Sequence, residues 1–216
     1  MARAKAPVGK LATGATAGPR AAGRRARVAR TTKETDITVE LNVDGRGHAE
    51  VDTGVPFLNH MLEIFARHGF FDVTVRARGD LEVDQHHTVE DVGLTLGQAL
   101  REALGDKAGI RRFGDAACPL DEALVHAVVD LSGRPFLAYN LKIKHARVGD
   151  FDTELLHDFM LAFVNQAGMN LHLHQVQGRN PHHIIEAAFK ALARALDQAK
   201  QVDPRVEGVL STKGSL

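Results

Sequence analysis

Apolar and polar residues alternate along Ile37-Thr38-Val39-Glu40-Leu41-Asn42-Val43. A period of two predicts a strand with one buried face, and Asp44-Gly45-Arg46-Gly47 follows it as a turn. Ala123 to Leu131 repeats the pattern and meets Ser132-Gly133-Arg134-Pro135. Both turns are expected to close hairpins. Apolar spacings of three and four then predict helices over about 57–67 and 87–104, with a strand Phe71–Ala77 between them. The same order returns as helices over about 152–166 and 182–199, with a strand Leu171–Val176 between them.

The two stretches are copies of one unit. Gly45 and Gly133 are 88 residues apart, as are Arg46 and Arg134, and Glu34 and Glu122. At His60 and His157 the offset is 97, so the second copy carries a nine-residue insertion, placed near 142–152. The expected architecture is α+β, with helices on one face of mostly antiparallel sheets. It divides into a disordered basic extension 1–30, half-domains 31–120 and 121–210, and a polar tail 211–216 that is disordered in an isolated chain.

The chemistry sits at matching places in the copies. His86-His87-x-x-Glu90 and His182-His183-x-x-Glu186 each open a predicted helix, and His60 and His157 precede them by 26 and 25 residues. On a helix the first histidine and the glutamate are four apart and the second three apart, so all three lie near one face. Adjacent histidines still diverge by about 100°, so one motif reaches toward two metals without completing either shell. Six imidazoles and two carboxylates shared between two ions give three and one each. Such a donor set suits Mn, Fe, Zn, Co or Ni better than Ca or Mg. The remaining histidines (His48, His68, His126, His145, His172, His174) show no such pattern and are expected to be structural or solvated.

Charge and composition add three points. The chain is 44% hydrophobic and 25% charged, and no apolar run reaches membrane-spanning length. Its single cysteine, Cys118, excludes an intrachain disulfide and a Cys-based metal site, which favours a cytoplasmic setting. Residues 1–30 hold eight of the 27 Lys and Arg and no acid, against 27 acids in the rest. Without aromatics or a recognition fold that basic stretch does not indicate a nucleic-acid partner, and no membrane partner is expected.

A set of motifs carries a family resemblance. They are Glu34-Thr35, Leu58-Asn59-His60-Met61-Leu62, Asp84-Gln85-His86-His87-Thr88-Val89-Glu90-Asp91, Arg112-Phe113-Gly114, Pro119-Leu120-Asp121-Glu122, Asp130-Leu131-Ser132-Gly133-Arg134-Pro135, Gly178-Arg179-Asn180-Pro181-His182-His183-Ile184-Ile185-Glu186 and Ser211-Thr212-Lys213-Gly214. Over about 31–215 the chain resembles the imidazoleglycerol-phosphate dehydratases of histidine biosynthesis, in their monofunctional form.

That resemblance implies a duplicated ββαβα unit of the ribosomal protein S5 domain 2-like class. It implies a 24-subunit assembly with sites between subunits and two Mn²⁺ per site, other divalent transition metals being possible. The implied reaction is dehydration of imidazole glycerol phosphate to imidazole acetol phosphate through an imidazolate bridged by the two metals. Glu34 matches the acid–base glutamate, with Glu122 as its weaker twin. Arg112, Arg134, Lys190, Ser211 and Lys213 match the phosphate-binding positions. Two other readings of the same ligands stand beside this one. A di-metal hydrolase would hold its ions about 3.5–4 Å apart around a bridging water. A metal-storage or delivery protein would have no use for Glu34 or the cations.

Overall fold

The alternation at 37–43 is realised as β2 (Thr35–Asn42), whose side chains are by turns buried and exposed. The computed structural model describes residues 23–216. The first half runs β1 (Arg25–Thr31), β2, β3 (Ala49–Asp52), α1 (Pro56–Gly69), β4 (Asp72–Gly79) and α2 (His86–Leu104). The second runs β5 (Phe113–Leu120), β6 (Ala123–Asp130), β7 (Phe136–Asn140), α3 (Leu155–Ala167), β10 (Asn170–Gln177) and α4 (Pro181–Lys200). Between β7 and α3 lies the small hairpin β8 (Arg147–Val148) and β9 (Phe151–Asp152), where the insertion was expected. All four predicted helices are present.

Three expectations are corrected. Asp44–Gly47 and Ser132–Pro135 are turns but do not close hairpins, because the sheet orders are β1-β2-β4-β3 and β5-β6-β10-β7. β4 and β10 enter between the strands those turns connect, pairing antiparallel to β2 and β6 and parallel to β3 and β7. The true hairpins are β1–β2 and β5–β6, with Glu34 and Glu122 at their tips. A period of two reports which face is buried and says nothing of which neighbour pairs.

The second correction is at the N-terminus. Arg25–Thr31, assigned to the disordered extension, forms β1, and Phe113–Leu120, assigned to the first half, forms the equivalent edge strand β5 of the second sheet. Each unit therefore carries one more leading strand than its ββαβα core. β1 is sparse in apolar residues because it is an edge strand covered on one face, with only Val28 buried. The rest of the predicted extension, 1–22, lies outside the described residues. Third, the tail 211–216 folds as a turn, with Gly214 N–H donating to Ser211 O at 3.1 Å.

α2 lies on β1 and β2, α4 lies on β5 and β6, and the halves join helix to helix, α1 against α4 and α2 against α3. Phe65 of α1 stacks on Phe71 at 4.9 Å and meets Phe163 of α3 edge-on at 6.0 Å, while Phe159 packs on Phe189 of α4 at 5.5 Å. These aromatics are fully buried and make one core from two halves. The α2–α3 seam closes on glycines. A Cβ at Gly97 would stand 2.4 Å from the Phe163 carbonyl oxygen, so only glycine permits this approach.

Two predictions follow from these contacts. A chain beginning at Thr31 loses β1, the buried Val28 and the Arg24 bridge to Asp44 and the Lys200 carbonyl. It is expected to unfold at a lower temperature or fail to assemble, read by thermal melting and size-exclusion chromatography. Asp72 accepts N–H bonds from Arg46 and His48 and from the Asn42 amide. Partial burial alone would raise its pKa, but those bonds hold it down to about 2. A depressed carboxylate stabilises the fold above its unfolded value near 3.8 and ceases to do so as pH falls toward 2. Asp72→Ala is expected to cost about 1–2 kcal/mol at neutral pH. In urea titrations the gap from the parent protein should close between those two pH values; a constant gap would count against it.

Candidate active site

Asn180 opens α4 by accepting the His182 N–H on its side chain at 2.9 Å, and Pro181 occupies the first turn. This fixes His182 and Glu186 on one helical face. Glu186 Oε2 lies 3.1 Å from His182 Nε2 and 3.5 Å from His60 Nε2 of α1. The three residues bring ligand atoms within 4.8 Å of one another. Lys190, one turn on, reaches Glu186 Oε1 at 2.7 Å. Burial alone would raise the Glu186 pKa, but the bond and charge of Lys190, then His182 and His60, hold it below the ordinary value. The carboxylate is therefore ionised and ready to act as a ligand.

The other seam carries the counterpart. His86 Nε2 is 3.7 Å from Glu90, and Asp158 stands between His86 and His157 at 3.5 Å from each ring. His60 thus meets the His-His-x-x-Glu helix of the other half directly, whereas on the second seam Asp158 makes that contact and, among the described residues, only the His60 trio brings its ligand atoms within 4.8 Å of one another. Asp158 was not anticipated, although it directly follows His157. Clefts of about 340 and 280 Å³ flank the two clusters and share Gln85 and Asp150. The inserted β8–β9 hairpin lines both, anchored by Phe151 on Phe57, whose ring also meets His182.

The second histidine of each motif points elsewhere, as the helical turn requires. His87 Nδ1 is 3.0 Å from Asp80 and 4.0 Å from Glu34. The Asp80 hydrogen bond, with the Glu34 charge behind it, raises the His87 pKa despite some desolvation. His183 Nδ1 is 2.7 Å from Glu122. The two hairpin glutamates differ sharply. Glu122 accepts the Arg179 and Asn180 N–H groups as well as His183, and the Asn180 bond leads in holding its pKa down to about 2. The Glu34 carboxylate is 54% exposed and, among the described residues, has only His87 as a charged neighbour within 4.0 Å. A carboxylate without fixed partners can exchange a proton with a substrate; one held by three donors cannot readily do so.

The expected phosphate residues fall into two places. Arg112 grips Asp130 through Nε and a terminal nitrogen at 2.6 and 3.0 Å and donates its other terminal nitrogen to the Leu210 carbonyl at 2.7 Å. Its backbone N–H meets the Ala199 carbonyl at the end of α4, and Ser211 and Lys213 follow Leu210. The chain end packs against Gly133, next to Arg134. Lys190 alone lies beside the His60 cluster. From Glu186 to Ala199 the helix rises about 20 Å, so within one chain the Arg112 group is far from the histidines.

Fold and site together define an enzyme built by duplication, with a histidine–carboxylate cluster at each seam between its halves. The chain belongs to the imidazoleglycerol-phosphate dehydratase family, whose model matches residues 53–196. It is accordingly a carbon–oxygen lyase, a dehydratase of histidine biosynthesis. The imidazoleglycerol-phosphate dehydratases of Citrifermentans bemidjiense and Geobacter metallireducens are 58% and 56% identical to it, each over 89% of this chain and 99% of theirs. The crystal structure of the Staphylococcus aureus enzyme superposes with a TM-score of 0.76 at 38% identity, covering 83% of this chain and 99% of that one. The Pyrococcus furiosus enzyme gives 0.76 at 42% identity, covering 88% and 100%.

Proposed function

We propose that the chain dehydrates D-erythro-imidazole glycerol phosphate to imidazole acetol phosphate with two divalent cations per site, Mn²⁺ being the expected ion. The observation that carries this reading is the His60–His182–Glu186 cluster, whose ligand atoms lie within 4.8 Å of one another. Two imidazoles and an ionised carboxylate at that spacing fit a borderline transition-metal ion. His60, His86, His87, Glu90, His157, His182, His183 and Glu186 are the proposed ligands. Cations held by these residues would supply Lewis acidity to the substrate's imidazole, and that would favour loss of the neighbouring hydroxyl.

The protein's own groups do the rest. Glu34 stands beside His87 on an exposed hairpin tip, and it would protonate the departing oxygen, which leaves as water, or take the proton from the adjacent carbon. Loss of that C–H proton leaves an enol, which tautomerises to the ketone. Arg112, Arg134, Ser211 and Lys213 would hold the phosphate, with Lys190 meeting it beside the ligand cluster. The distance between the two groups in one chain supports a site completed by a neighbouring subunit; the 24-subunit form of that assembly is what the family resemblance implies. A cytoplasmic setting goes with that role.

The test is turnover of imidazole glycerol phosphate by Mn²⁺-loaded and chelator-treated protein, following the ketone product. Formation of the ketone only by loaded protein is expected. Release of inorganic phosphate without ketone would favour a hydrolase instead.

A further inference from the structure

Asp91 directly follows the proposed ligand Glu90, yet its side chain points away from the clusters and is 6% exposed. It faces the β1–β2 hairpin. Arg30 of β1 donates to its Oδ1 at 2.9 Å, and the Thr35 hydroxyl donates to its Oδ2 at 2.5 Å. Thr35 has one hydroxyl proton, and the carboxylate takes it. The contact between the Thr35 and Thr32 hydroxyls, 3.3 Å, can then run only one way, with Thr32 donating to Thr35. The Thr32 oxygen in turn accepts the backbone N–H of Glu34 and of Thr35, both at 3.0 Å. Every proton in this chain has a fixed direction, from the Glu34 amide through two hydroxyls to a buried charge. Chains of this polarity strengthen one another in a poorly solvated setting. From the other side, the Glu34 carbonyl accepts the Asp80 N–H at 3.1 Å, and Asp80 also holds His87.

The second half has nothing of the kind. At the positions equivalent to Arg30, Thr32, Thr35 and Asp91 it carries Cys118, Leu120, Ala123 and Ala187. There the tip glutamate is held directly through its carboxylate by Arg179, Asn180 and His183. Half one thus fixes the backbone of its tip and leaves the carboxylate unheld. Half two ties down the carboxylate itself.

We infer that Asp91 is a positioning residue for Glu34. Acting through the Thr35 and Thr32 hydroxyls, it registers the hairpin tip on the helix that carries His86, His87 and Glu90. This rests on the reading of Glu34 as the acid–base group. The relay places the Glu34 backbone without spending any hydrogen bond on its carboxyl group, which stays available for proton transfer.

The experiment uses the full-length, Mn²⁺-loaded assembly and compares Thr35→Val, Thr35→Ser, Thr32→Val and Glu34→Gln, with melting temperature and bound Mn²⁺ measured alongside the kinetics. Thr35→Val and Thr32→Val are expected to lower kcat about 10–100-fold, as a displacement near 1 Å would, with KM within about twofold. Thr35→Ser, which keeps the hydroxyl, should recover most of that loss. In a Glu34→Gln background Thr35→Val should lower the residual rate no further, because the relay acts only through Glu34. Equal losses in both backgrounds, or no loss in either threonine variant while Glu34→Gln is inactive, would overturn the relay and leave the role of Glu34 standing. A fully active Glu34→Gln enzyme would instead remove the reading on which the relay rests. Should Thr35→Val fail to assemble, Thr32→Val on the exposed turn reads the same relay.

Discussion

Glu34→Gln is expected to lower kcat by about a hundredfold to ten-thousandfold, the range for removing a positioned general acid or base. The substitution keeps the size of the side chain and its hydrogen-bonding character but removes the ionisable carboxyl group and its charge. Its 54% exposure and 4.0 Å separation from His87 mean that little of the fold depends on it. Bound Mn²⁺ and melting temperature should therefore stay near those of the parent protein. Steady-state kinetics with metal analysis make the check. Parent-like kcat in Glu34→Gln would exclude the carboxylate from the chemistry. The same loss accompanied by loss of metal would make Glu34 a ligand instead.

A larger effect is expected from the ligand histidines, and it reports on assembly as well as chemistry. His182→Ala leaves His60 and Glu186 as a two-residue remnant, and His86→Ala removes the imidazole that lies between Glu90 and Asp158 on the opposite seam. Each variant alone should lose turnover and bind fewer cations. Unfolded and reassembled together, they should recover activity if a site draws one cluster from each of two subunits. Random mixing at equal amounts then leaves about one quarter of the sites free of both lesions. Mixed assembly is verified by mass, and recovered turnover is compared with that fraction. Mixed assemblies with no recovery would place each complete site within one chain. The inter-half pairing of His60 with Glu186, and of His86 with Asp158, keeps the clusters on separate seams with the β8–β9 hairpin lining the clefts beside both. That separation is the reason to expect recovery.

Much of this arrangement is legible in the sequence. Period-two alternation around Ile37 and Val125 depends on a sheet face being wet or dry, and that is a local property of the chain. The His-His-x-x-Glu geometry follows from helical spacing alone. The duplication appeared as constant offsets, and the change of offset located the β8–β9 insertion. β1 was missed because an edge strand covered on one face, with four arginines in its neighbourhood, carries little apolar signal. The hairpins were misassigned because a turn between two strands leaves open whether a third strand, arriving after a helix, will enter between them.

The sequence by itself determined the elements, the duplication and the residue types able to bind metal, all of which follow from spacing along one chain. Only the tertiary structure decided partnership: that His60 meets the helix of the other half, that Glu122 is tied down while Glu34 is unheld, and that Asp91 reaches Thr35 across 56 residues. These pairings join residues far apart in sequence. They are set by how two sheets and four helices bury a shared aromatic core, a condition on the whole chain that no local pattern of residues expresses.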